Sequence, residues 1–152
     1  MSEQACSNAR RSCDAMLESA LSVVRSYGLE CSATCEELLA YLSGPTYTGD
    51  TVALEEVLGD ELLFLHEVAE ACILKSMGYE LSESTATRAY PDTYKAHLEA
   101  MEVELREAAR RELMNHVVAR CRDLESYLED PLLPEHLRPA VHALIGEFCA
   151  DK

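Results

Sequence analysis

The sequence predicts a single all-α domain, a bundle of five or six helices over residues 1–152. Two observations lead there. The chain has no Trp and two Phe, and Val, Ile and Thr are few beside Leu, Ala and Glu, so strand-favouring residues are scarce. Apolar residues also recur at steps of three and four along most of its length, the period of a helix with one buried face. A chain of 152 residues can bury a core of its own.

Residues 4–27 form the first expected helix. Cys6, Ala9, Cys13, Met16, Ala20, Val23 and Tyr27 make a regular seam, while Arg10, Arg11, Asp14, Glu18 and Arg25 face away. The seam suits packing inside the bundle. Its sharper use would be a homodimer or a protein partner docked on this first helix. Gly28 ends the helix, and Thr34 with Glu37 makes a capping box for a second one over about 35–43. Ser43, Gly44 and Pro45 stop that helix. Asp50 or Thr51 is expected to cap a third, with a kink or a restart at Gly59 and Asp60.

The stretch LLFLHEVAEACILKSMG, residues 62–78, is apolar nearly all round and should lie at the centre of the fold, in a helix over about 61–77. Gly78 closes it. Residues 79–90 read as a loop with one helical turn. A long helical run then opens at Pro91 or Asp92. Its apolar face shifts from Tyr94, Leu98, Met101, Leu105 and Ala108 to Leu113, Val117, Cys121, Leu124 and Leu128, so it must bend or split near Arg110 and Arg111. Pro131, Pro134 and Pro139 lead into a short last helix through Val141, Leu144, Ile145 and Phe148.

The net charge of −15 argues against nucleic acid or an anionic membrane as partner, since both would repel the chain. No apolar segment is long enough to span a bilayer. Seven cysteines without a C-x-x-C pair, and an N-terminal region without an uninterrupted apolar run, predict free thiols and a cytoplasmic location.

One conflict carries the functional reading. His66 and Glu70 lie one turn apart in the middle of the central helix's apolar stripe, where both are costly unless paired or bound to a metal. Their i, i+4 spacing lets one helix offer two ligands to one ion. His97, near the start of the long helix, is the expected third ligand. Glu104, two turns later, is either a fourth ligand or an acceptor for an imidazole N–H. Glu67 lies between His66 and Glu70, turned aside, as a general base acting on a metal-activated water would be. Glu99 and Glu102 are reserves, and His116, His136 and His142 are read as ordinary residues. Zinc is favoured over iron, manganese or magnesium.

HEVAE at 66–70 resembles the zincin metallopeptidase helix HExxH, with Glu70 standing where that motif has its second histidine. A histidine and a glutamate follow in AHLEAMEVE at 96–104. The resemblance implies zinc at His66, Glu70 and His97, with Glu67 activating water. EEVLGDELLF at 55–64 is similar to a stretch of the MazG-type all-α nucleotide pyrophosphatases. That implies magnesium held by carboxylates such as Glu56 and Asp60, with Glu36, Glu37 and Glu55 completing the set. Three functions are thus open: a transition-metal protein with hydrolase chemistry, a non-catalytic interaction module with a structural His–Glu pair, and a magnesium-dependent pyrophosphatase.

Overall fold

The computed structural model describes residues 3–47 and 53–149. Among these residues there are eight α-helices and no strand, as the composition predicts. They are α1 (Glu3–Ser26), α2 (Cys35–Ser43), α3 (Leu54–Leu58), α4 (Glu61–Ser76), α5 (Thr85–Arg88), α6 (Asp92–Arg110), α7 (Met114–Tyr127) and α8 (Arg138–Phe148). The excess over six comes from two pieces, α3 and the single turn α5. Asp50 and Thr51, the expected caps of the third helix, lie outside the described residues.

The helix ends follow the local chemistry. Thr34 and Glu37 form the reciprocal capping box of α2. The chain restarts at Asp60, whose side chain accepts from the amides of Leu62 at 2.9 Å and Leu63 at 3.1 Å and so opens α4. Gly78, with φ at +101°, closes α4 in the left-handed conformation, and the Tyr79 amide reaches back to the Leu74 carbonyl. The same device ends α6 without glycine. Glu112 takes φ of +60°, and the Leu113 amide donates to the Ala108 carbonyl at 2.9 Å. This turn splits the long run where its apolar face rotates.

Helices α4 and α6 form the central pair; α1, α2 and α3 pack on α4, and α7 and α8 pack on α6. From Leu62 to Leu74, only Leu63 and Glu67 of α4 escape full burial. The seam of α1 is used inside the chain: Ala9, Cys13 and Ala20 are buried there with Leu21 and Val24, while Cys6 is exposed.

The expectation of free thiols is corrected. Cys13 is bonded to Cys35, Cys31 to Cys72, and Cys121 to Cys149, across Cα separations of 6.0, 5.0 and 5.8 Å. The six partners stand 22, 41 and 28 residues apart in sequence, so the pairing is a tertiary fact that spacing along the chain does not reveal. Among the described residues, no helix is long and apolar enough to cross a membrane.

Candidate metal centre

Helix α4 places His66 and Glu70 on its face toward α6, and α6 answers with His97 in its second turn. Three donor atoms meet. His66 Nε2 lies 3.1 Å from His97 Nδ1 and 3.3 Å from Glu70 Oε1, and His97 Nδ1 lies 3.2 Å from Glu70 Oε1. An ion bound tetrahedrally at about 2.0–2.1 Å sets its ligand atoms about 3.3 Å apart. The triangle therefore has the size that one small divalent ion requires. Among the described residues this is the one group of three or more His, Cys, Asp or Glu side chains that could hold a metal ion.

Each donor is fixed from behind. The Nδ1–H of His66 donates to Glu104 Oε1 at 2.8 Å, which leaves Nε2 facing the triangle. His97 Nε2 meets the Tyr127 hydroxyl at 2.8 Å and so presents Nδ1. The Tyr41 hydroxyl donates to Glu70 Oε2, leaving Oε1 for the centre. Such outer partners set the tautomer and aim of metal ligands in known sites. Glu104 is itself clamped: Arg120 donates to both of its oxygens at 2.8 and 2.9 Å, and His116 Nε2 contacts Oε2.

Of the two roles expected of Glu104, the structure gives it the second. Its carboxylate is an acceptor on the far side of the His66 ring, outside the triangle of donors. His116, read as ordinary, belongs to this outer layer, as do Tyr41, Tyr127 and Arg120. Arg120 and His116 fall at i and i−4 on α7, a spacing that marks them as sharing one face but does not say what they meet. Glu99 is exposed and Glu102 pairs with Arg106.

The electrostatics leave one proton shared among the three donor atoms. Burial pulls the His66 imidazole down, but its hydrogen bonds to Glu104 and Glu70 outweigh that and raise it to about 10. Burial also pushes the Glu70 carboxyl up, yet the two imidazoles beside it hold it well below the usual carboxylate range. His97 is lowered by burial and by the neighbouring His66, against the pull of Glu70. A neutral His97 and an ionised Glu70 thus share their corner with the single proton on His66 Nε2. Three electron-rich atoms held that close favour a positive charge among them.

One side of the triangle is open. Glu70 and His97 line a cavity of about 310 Å³, and Glu67 stands in its wall with its carboxyl raised to about 8 by burial and by the charge of Glu70. Three candidate ligands beside an accessible position would leave a bound ion one coordination position open to a small molecule.

Of the carboxylates named for magnesium, Asp60 caps α4, Glu37 is held by Thr34 and Lys75, and Glu55 and Glu56 are exposed. No family model, no curated protein and no solved structure matches this chain, so its function is argued from the geometry of the centre itself.

Proposed function

We propose that the chain binds one divalent transition-metal ion, zinc by the chemistry of its donors, at His66, Glu70 and His97, and that it uses the ion for hydrolysis. Two imidazole nitrogens and one carboxylate oxygen suit zinc better than magnesium, which prefers an all-oxygen shell. The observation that carries the reading is the triangle of donor atoms 3.1–3.3 Å apart, each with its far atom engaged by Glu104, Tyr127 or Tyr41. When bound, the ion would lower the pKa of a water and polarise a carbonyl or phosphoryl oxygen.

The chain's own residues supply the rest. Glu67, in the cavity wall one residue from His66, takes the proton that the attacking water gives up and hands it to the leaving group. Glu104 holds His66 in the tautomer whose Nε2 lone pair faces inward, and His116, His66 and Arg120 together keep Glu104 ionised. Three disulfides suit an oxidising compartment better than the cytoplasm expected from free thiols.

Elemental analysis of the chain purified without added metal tests this. About one zinc per chain, lost in His66→Ala and His97→Ala and kept in His142→Ala, is the expected result. A second reading rests on one observation: among the described residues, every buried side-chain nitrogen and oxygen has a hydrogen-bond partner. On that reading the His66–Glu70 pair is structural and the chain is a non-catalytic interaction module. Absence of metal, with both variants folded but less stable, would decide for it.

A further inference from the structure

The cavity beside the centre has a composition of its own. Besides His97, Glu70 and Glu67, its wall carries three tyrosines, Tyr41, Tyr47 and Tyr127, and Asp130, and among the described residues that line it there is no Lys or Arg. Asp130, which is not part of the donor triangle, therefore brings a carboxylate to a small volume whose described lining offers it no Lys or Arg side chain.

The tyrosine end is braced. Tyr47 stacks at 5.1 Å on Tyr94 and at 5.7 Å on Tyr90, and Tyr94, fully buried, meets Tyr127 edge-on at 6.0 Å. The Asp130 carboxylate is aimed by two donors, the Tyr94 hydroxyl on Oδ2 at 2.9 Å and the Leu132 amide on Oδ1 at 2.9 Å. Each oxygen keeps a lone pair free for a further donor. Rings held by stacking and a carboxylate held by two hydrogen bonds lose little entropy on meeting a ligand.

We propose that this cavity binds a small organic ammonium group, seated against Tyr47 and Tyr127 and beside the Asp130 carboxylate. Tyrosine faces attract a cation through the ring quadrupole, and a carboxylate adds a direct charge interaction. An anionic ligand at this end of the cavity would meet the Asp130 carboxylate, with no Lys or Arg side chain among the described lining residues to offset the repulsion. The substrate class follows: a compound of a few carbons that carries an amine or a quaternary ammonium at one end and offers its reacting group to the metal end. As a statement about substrate this rests on the metal reading, but the ammonium seat is built from residues outside the metal triangle.

Titration calorimetry with choline and with its neutral isostere 3,3-dimethylbutanol tests the seat, on the zinc-loaded chain and on the chain stripped with a chelator. Choline is expected to bind about tenfold more tightly than the isostere in both forms, the size of one desolvated cation–π contact. Asp130→Asn, which keeps an acceptor for the Leu132 amide and turns an amide N–H toward the Tyr94 hydroxyl oxygen, and Tyr47→Leu are each expected to abolish that preference. Should Asp130→Asn lose its helical circular dichroism, Tyr47→Leu decides. Equal binding of the two probes, tighter binding of acetate than of choline to the stripped chain, or no binding of choline overturns the proposal. Choline binding without zinc binding would leave the seat standing and remove the metal reading, whereas zinc binding without choline binding would do the reverse.

Discussion

Helix α6 buries two carboxylates one turn apart, Glu104 and Glu107, and the contrast between their surroundings separates a site from a structural knot. Glu107 is met by Arg110 and Arg111 from its own helix and by the Tyr27 hydroxyl at 3.0 Å. The Arg110 side chain is 66% exposed, so the cation that neutralises Glu107 is largely in water. Glu104 is met by His66 from α4 and by His116 and Arg120 from α7. Those partners are nearly or mostly buried, and one of them carries the constraint on to the donor triangle. Burial of a carboxylate is thus no sign of function. Its sign is that the groups satisfying the carboxylate are themselves aimed at a common point.

The comparison can be broken most directly by deleting each carboxylate. Glu104→Ala strands Arg120 and His66 in the core and is expected to cost about 3–5 kcal/mol in urea unfolding. Glu107→Ala leaves arginines that can hydrate, and about 2 kcal/mol is expected. Equal costs would dissolve the distinction.

Zinc sharpens it next. At a free concentration about a thousandfold above its dissociation constant, zinc should stabilise both the wild type and Glu107→Ala by about 4 kcal/mol. In His97→Ala the same addition should leave the thermal midpoint where it was. The bridge between Cys31 and Cys72 offers a control on the site helix itself. Cys72 lies two residues past Glu70, and by the loop-entropy argument Cys72→Ser should lower stability by about 3–4 kcal/mol while zinc stoichiometry stays at one.

pH separates the two regions by the direction of the change. His66 is raised from 6.5 to about 10, so in the metal-free chain its contribution is complete below pH 6.5 and is lost as pH rises through 10. Glu67, raised from 4.5 to about 8, acts in the same direction over the lower part of that range. Between pH 8 and 10 the decline in stability should therefore disappear in His66→Ala. Glu107, lowered to about 2, contributes stability that is present above 4.5 and lost as pH falls through 2, so Glu107→Gln should flatten the acid limb. Because the ion displaces the His66 proton, zinc affinity should rise about tenfold per pH unit between 7 and 9.

What the sequence determined by itself is local. Composition and period gave the helices. The Thr34–Glu37 box and Gly78 placed two of their ends, because capping needs only residues within one turn of each other. The i, i+4 spacing put His66 and Glu70 on one helical face, and an apolar surround made that pair conspicuous. The tertiary structure alone decided the rest. Whether His97 met that pair depended on how α4 and α6 cross. The partners that aim the donors, Tyr41, Tyr127, Glu104 and Arg120, come from three helices, at separations up to 38 residues. The disulfide pairing and the tyrosine-walled cavity arise in the same way. They are products of packing between distant segments, and hydrophobic periodicity says which face turns inward without saying which residue it will touch there.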